Sequence, residues 1–156
     1  MISGCGLVRI PGNTSILGIG SNSGFTKTNI KITTTSNVII RNLKFYSAMA
    51  ESDLVSIEKA TKIWVDHCEF HNDGIVGGKD DYDGLLDIVL GSDFITVSWS
   101  KFFDHVGCQI SVVSSVFGSR WLTPRIQWKG SLIGSSDGTG ATDTGKFHGM
   151  YLLIYL

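Results

Sequence analysis

Four acidic residues in two short stretches could together bind a metal ion. Glu51 and Asp53 lie in one stretch, and Asp83 and Asp87 lie four residues apart in the other. Hard cations such as Ca²⁺ take about six to eight oxygen ligands, which clustered carboxylates supply. On an extended strand, a spacing of four residues places both side chains on the same face. Without further information, solvated aspartates in turns explain the pattern better than a metal site does.

A ten-residue pattern that occurs three times predicts how the two stretches could meet. The copies begin at Ser36, Thr61 and Asp93, and each has a polar start, an alternating β-branched run and a closing aromatic residue. A β-strand repeat with a period of about 20–50 residues is typical of a solenoid, in which each repeat forms one coil. Because adjacent coils stack about 4.8 Å apart, carboxylates on successive coils can converge on one ion.

Short apolar runs along the rest of the chain favour the same architecture. Runs such as 30–32, 54–57 and 85–88 are separated by Asn, Gly, Asp and Ser, and helical periodicity is nearly absent. The 19 glycines and two prolines predict many tight corners. A β-sandwich with regular turns is the alternative, but the in-phase repeat favours an all-β solenoid.

Composition indicates a single domain and argues against several classes of partner. The 156 residues are 42% hydrophobic and 17% charged, with a net charge of −1. No basic stripe indicates nucleic-acid binding, and no apolar run reaches the roughly 18 residues of a membrane helix. No signal-peptide pattern is visible at the start. Cys5, Cys68 and Cys108 are too few and too scattered for a metal cluster or a disulfide framework, and we expect Cys68 to be buried.

Several motifs, in matching order, resemble the central coils of secreted pectate lyases. They are residues 63–70 (Ile-Trp-Val-Asp-His-Cys-Glu-Phe), 81–88 and 91–99, with further likeness at 18–21, 36–45 and 128–137. The resemblance covers roughly residues 4–105 and 128–148. It implies a right-handed parallel β-helix with three sheets per coil, incomplete at both ends. It also implies β-elimination of de-esterified polygalacturonate, a (1→4)-α-D-galacturonan, with bound Ca²⁺ and an arginine as base.

The resemblance implies roles for individual residues. Asp53, Asp83 and Asp87 occupy positions at which pectate lyases place calcium ligands, and Glu51 lies where some members carry a further acidic ligand. Lys129 matches a family lysine that contacts the carboxylate of the uronate. These five residues are the predicted metal and substrate site.

Asp66 and His67 lie inside one of the family motifs, and we expect them to be structural. Neighbouring residues on a strand point to opposite faces, so they rarely cooperate as an acid and a base. We expect them instead to form hydrogen bonds between coils. Trp64 and Trp99 are expected to pack in the core or on the sheet surface rather than to bind sugar.

Two segments interrupt the family likeness within the single domain, residues 1–156. Residues 106–127 carry no repeat phase and are interpreted as an insertion, and residues 149–156 are interpreted as a non-family tail. The codons possible at both boundaries can contain intron splice sequences, so we expect both segments to be translated introns. The family's arginine base is expected beyond the end of this partial domain. Residues 120–125 contain two arginines, but at the wrong place and spacing.

The resemblance predicts polygalacturonate as substrate, Ca²⁺ as cofactor, and a secreted monomer. Because the arginine is missing, we expect this chain to be inactive. A non-catalytic β-solenoid that binds acidic polysaccharide is one alternative. A polygalacturonase would use paired carboxylic acids, but its Asn-Thr-Asp and Gly-His-Gly strings are absent from the sequence. A pectin lyase would replace the calcium ligands, so the three aspartates favour the pectate enzyme.

Overall fold

The computed structural model describes residues 1–72 and 84–103, together with three strands nearer the end of the chain. Within these residues the chain forms strands and no helix, and hence no helix that is long and apolar enough to cross a membrane. The strands are β1 (Ile2–Arg9), β2 (Thr14–Leu17), β3 (Gly24–Thr33), β4 (Ser36–Arg41), β5 (Lys44–Tyr46), β6 (Val55–Glu58), β7 (Thr61–Asp66), β8 (Glu69–His71), β9 (Leu86–Val89), β10 (Asp93–Phe103), β11 (Ile110–Val112), β12 (Arg125–Trp128) and β13 (Leu152–Tyr155).

Parallel pairing stacks most of these strands in three ladders. The first ladder joins β1, β3, β6, β9 and β11; the second joins β2, β4, β7 and β10; the third joins β3, β5, β8 and β10. The long strands β3 and β10 enter two ladders because each turns at a left-handed residue, Lys27 or Trp99. At one edge, β13 pairs antiparallel with β10 and β12. This arrangement confirms the predicted all-β parallel β-helix.

The register of the second ladder confirms the repeat seen in the sequence. Val38 pairs with Ile63, and Ile63 pairs with Ile95, so the three copies lie directly on one another. β-Branched residues suit such a half-buried, pleated surface. The longer interval between the second and third copies leaves this register unchanged, because the additional residues lie between β8 and β9, outside the second ladder.

The interior of the coil stack consists of columns of equivalent apolar side chains. Four phenylalanine rings form one column, with centroids 5.8, 5.0 and 4.6 Å apart from Phe25 through Phe45 and Phe70 to Phe102. Aliphatic columns flank it, and their members are all at most 1% exposed: Ile30–Val55–Leu86, Ile32–Ile57–Ile88, Val38–Ile63–Ile95 and Ile40–Val65–Val97. The closing aromatic of each repeat therefore belongs to the core.

Single residues in the left-handed region turn the chain at its corners. Asn13, Asn37, Lys62 and Phe94 have φ angles between 53° and 60° and occupy equivalent positions at the second ladder on successive coils. Residues other than glycine rarely adopt this conformation. Here hydrogen bonds to neighbouring coils offset the conformational cost, since the backbone N–H of Asn13 donates to the Ser36 carbonyl at 3.0 Å. Glycine thus supplies fewer of the described corners than composition suggested.

Strand β11 continues the first ladder beyond the third copy of the repeat. Ile110 pairs with Leu86, and Val112 pairs with Ile88, both in parallel. The segment interpreted as an insertion, residues 106–127, contains β11 and most of β12, while β13 falls within the tail at residues 149–156. The other residues of both segments lie outside the described part of the chain. Their interpretation as translated introns stays a prediction.

Cys68 is buried among the core residues, as predicted, with 1% of its surface exposed. Burial raises the pKa of the Cys68 thiol to about 12, because the thiolate would lose its hydration. Its thiol therefore stays protonated and unreactive at neutral pH. Cys5 is exposed, and Cys108 lies outside the described residues.

We expect Phe70→Ala to destabilise the fold by about 3–5 kcal/mol, because it removes a ring stacked on both sides within the core. Urea unfolding followed by circular dichroism measures the change. Phe94→Ala is the matched control, since Phe94 is 65% exposed, and it should shift stability by less than about 0.5 kcal/mol. Equal unfolding midpoints for the two variants would show that the phenylalanine column does not stabilise the stack.

Candidate metal centre

Asp53 and Asp87 come together on the outer face of the first ladder. Asp53 directly precedes Leu54 and strand β6, Asp87 lies in β9, and the pairing of these strands places Ser56 beside Asp87. Val55 and Ile57 are completely buried in the core. Because side chains alternate along a strand, Ser56 and Asp87 face outward. Two acidic residues far apart in the sequence thus meet across adjacent coils.

Three groups hold Asp53 in place. The Gly84 amide donates to Asp53 Oδ1 at 2.9 Å, and the Ser56 hydroxyl donates to Asp53 Oδ2 at 2.7 Å. The Asn29 side chain, in the preceding coil, donates from Nδ2 to the Asp53 carbonyl oxygen at 2.5 Å. Both carboxylate oxygens and the backbone of Asp53 are therefore fixed by hydrogen bonds, two of which come from other coils.

The position of Gly84 shows how closely the two carboxylates approach each other. A Cβ atom added to Gly84 would lie 3.2 Å from Asp53 Oδ1, and nearer still to Asp87 Oδ1. One oxygen of each carboxylate therefore borders the same small space beside the Gly84 backbone. Any residue with a side chain at position 84 would occupy this space.

The charges and atom types at this position suit a hard cation. Two ionised carboxylates that border the same space repel each other, and a bound cation removes that repulsion. Lys31 shares a ladder column with Ser56, but its ammonium group lies 2.6 Å from Glu58 Oε1. The donors that Asp53 and Asp87 supply are oxygens, which Ca²⁺ and Mg²⁺ prefer to nitrogen or sulfur. The pair can thus provide part of a calcium coordination shell.

The other predicted site residues are not brought to this pair by the part of the chain that is described. Glu51 is exposed, in a turn that the Ser52 amide closes on the Met49 carbonyl at 3.2 Å. Among the described residues, no group of three His, Cys, Asp or Glu side chains could hold a metal ion. Asp83 and Lys129 lie outside those residues. The complete ligand set, with Lys129 at the substrate, stays a prediction.

Sequence reasoning missed three residues that build the site: Asn29, Ser56 and Gly84. Ser56 is a polar residue inside the apolar run 54–57, and that position was a usable signal. The strand alternation also placed its side chain outward, on the face that Asp87 shares. Asn29 and Gly84 gave no comparable signal, because their contacts with Asp53 join different coils.

Asp66 links three successive coils, as predicted, at the end of the second ladder. Asp66 is 2% exposed; it accepts a hydrogen bond from the Ser98 hydroxyl at 2.5 Å and lies 3.1 Å from Arg41 Nε. The expectation that Asp66 and His67 point apart is wrong, since His67 Nδ1 lies 2.8 Å from Asp66 Oδ2. The left-handed conformation of His67 (φ 51°) interrupts the strand alternation on which that expectation rested.

Trp64 and Trp99 pack on the sheet surface, one of the two placements expected for them. Trp64 is 40% exposed; its indole Nε1 donates to the Ser98 hydroxyl at 2.9 Å, and the Arg41 guanidinium lies 5.9 Å from the centre of its ring. Trp99 is 57% exposed, with its ring stacked at 6.2 Å on His67. Both rings thus contact residues that themselves contact Asp66.

Comparison with known proteins identifies relatives of this chain. The family model for pectate lyase matches residues 6–118. The chain is 38% identical, over 155 residues, to probable pectate lyase B of Aspergillus terreus and to pectate lyase plyB of Emericella nidulans. Each alignment covers 99% of this chain and 40% of the relative. The chain therefore spans less than half the length of these curated relatives.

Solved structures share the same coil stack. A pectate lyase bound to a hexasaccharide superposes with a TM-score of 0.62 at 28% identity, over 70% of this chain and 34% of that one. Pectate lyase Bsp165PelA from Bacillus sp. N165, in complex with trigalacturonate, superposes with a TM-score of 0.58 at 30% identity, over 69% of this chain and 34% of that one. The likeness thus extends from sequence to fold.

We expect Gly84→Ala to destabilise the chain by about 1–3 kcal/mol, because the new methyl group enters the space between the two carboxylates. Urea unfolding of the purified variant measures the loss. The same substitution made in an Asp87→Ala background should cost clearly less, since the oxygen closest to the methyl group is gone. An identical cost in both backgrounds would mean that the carboxylates do not meet at Gly84.

Proposed function

Because this chain belongs to the pectate lyase family, we propose that it is part of a secreted enzyme that cleaves (1→4)-α-D-galacturonan in pectin by Ca²⁺-dependent β-elimination. The observation that carries the calcium proposal is the meeting of Asp53 and Asp87 beside Gly84. Two carboxylates on the protein surface would repel a polyuronate unless a cation lay between the protein and the sugar carboxylate.

The residues of this chain would hold and orient the ion. Asp53, just before β6, and Asp87, in β9, offer oxygens from adjacent coils, and Asp83 immediately precedes Gly84 in the sequence. We propose these three as ligands, with Glu51 as a further acidic ligand. The remaining positions of a shell of about six to eight oxygens would go to water and to the substrate. Ca²⁺ bound there would neutralise the uronate carboxylate and acidify the proton on the neighbouring carbon.

Lys129 is proposed to bind the substrate. An ammonium group is a compact cation that pairs with a carboxylate, so Lys129 would orient one uronate residue relative to the ion. The saccharides bound in the related structures support an oligogalacturonate as the ligand class, since one of those pectate lyases holds trigalacturonate. The proposed partner is accordingly polygalacturonate, and the cofactor is Ca²⁺.

We expect the purified chain to bind Ca²⁺, and we expect Asp53→Asn and Asp87→Asn each to weaken that binding by about tenfold or more. Each substitution keeps the shape of the side chain but removes a charged ligand. Isothermal titration with Ca²⁺ alone measures the dissociation constants.

Glu69→Gln is the matched control for this titration. Glu69 lies on β8 in the third ladder, where it pairs with Lys44 and Lys101, so the substitution removes one negative charge away from Asp53 and Asp87. The Ca²⁺ affinity of this variant should stay within about twofold of that of the wild type, since charges at a distance are screened by salt. Equal losses of affinity in Glu69→Gln and Asp53→Asn would mean that only net charge matters and that Asp53 is not a ligand.

We also propose that this chain alone does not complete the elimination, because no residue in it matches the arginine base of the family. Mixed with polygalacturonate and Ca²⁺, it should bind substrate but release no unsaturated uronate, which ultraviolet absorbance detects. Release of unsaturated product that stops when the ion is chelated would disprove this part of the proposal. Failure to bind either Ca²⁺ or polygalacturonate would disprove the function as a whole.

A further inference from the structure

We propose that Ser56 is a positioning residue that fixes the carboxylate of Asp53 for ion binding. This inference rests on the proposed function, in which Asp53 is a calcium ligand. Ser56 is 5% exposed and lies three residues after Asp53, and its hydroxyl donates to Asp53 Oδ2 at 2.7 Å. Residues that orient metal ligands in this way strongly influence metal affinity although they do not touch the metal.

The hydrogen bond of Ser56 complements the one from Gly84. The Gly84 amide donates to Asp53 Oδ1 at 2.9 Å and the Ser56 hydroxyl donates to Oδ2, so each carboxylate oxygen accepts one hydrogen bond. Loss of the hydrogen bond from Ser56 would let the carboxylate rotate about its Cβ–Cγ bond, which has a broad torsional minimum. A carboxylate offers about four lone-pair sites, so accepting these two hydrogen bonds does not by itself prevent either oxygen from binding an ion.

The place of Ser56 in its ladder column explains how its short side chain reaches Asp53. Lys31, Ser56 and Asp87 follow one another on the outer face of strands β3, β6 and β9. Ser56 has the shortest side chain of the three, so its hydroxyl stays close to the backbone and meets the carboxylate of Asp53 three residues earlier. Position 56 therefore supplies a hydrogen-bond donor within the column that also contains Asp87.

Ca²⁺ titration of three serine variants of the full chain tests the inference. We expect Ser56→Ala to weaken Ca²⁺ binding by about tenfold, at the lower end of the 10–100-fold found for residues that orient metal ligands. Ser56→Thr keeps the hydroxyl and should stay within about threefold of the wild type. Ser100→Ala is the control, because Ser100 is also buried and its hydroxyl donates at 3.0 Å to the Ser98 carbonyl, outside the proposed site.

The outcomes separate this inference from the proposed function. Unchanged Ca²⁺ affinity in Ser56→Ala, together with lost affinity in Asp53→Asn, would overturn the role of Ser56 and leave the calcium site standing. An equal loss of affinity in Ser100→Ala would also overturn it, since the effect would then be one of general stability. A wild-type chain that does not bind Ca²⁺ would overturn both. Thermal unfolding of each variant checks the fold, and Ser56→Cys replaces Ser56→Ala if the latter does not fold.

Discussion

In-register parallel hydrogen bonding between successive coils is the constraint on which the rest of this structure depends. In the paired strands, each residue lies directly on its equivalent in the next coil. Residues that are one repeat apart in the sequence are therefore always one strand spacing apart in space. Val38, Ile63 and Ile95 show the effect most simply, because the same inward position is apolar in these three successive coils. Left-handed corner residues such as Asn37 and Lys62 recur for the same reason, since the chain must turn at the same place each time.

Stacking places each side chain next to the side chains at the same position in the adjacent coils. The resulting columns differ in how much they contribute to stability. The phenylalanine column and its aliphatic neighbours exclude water and provide the main driving force for folding. Outer columns alternate in charge, as where Glu69 lies 3.3 Å from Lys44 and 3.4 Å from Lys101, but such exposed pairs stabilise a fold only slightly. Asp66 is different because it is buried, so its contacts with Arg41 and Ser98 are needed to avoid an unpaired charge.

The candidate metal centre uses the same stacking for chemistry. The first ladder brings Asp53 and Asp87 from separate coils to the space beside Gly84, and Ser56 and Asn29 hold Asp53 there. A rigid sheet is a precise support for such an arrangement, because its backbone positions are fixed on both sides by neighbouring strands. Under the proposed function, a cation bound by the two carboxylates would join the protein to an acidic sugar.

By itself, the sequence determined the scaffold: a periodic pattern of alternating apolar residues has few ways to bury itself, and stacked coils satisfy all its copies at once. It also indicated Asp53 and Asp87, whereas Ser56, a polar residue within an apolar run, carried a signal that the sequence analysis did not use. Only the tertiary structure decided that these residues meet at Gly84 and that Asn29 fixes the Asp53 backbone, because those contacts join coils whose register depends on every corner between them. The contact between Asp66 and His67 likewise required the structure, since it depends on one left-handed residue that a strand pattern does not reveal.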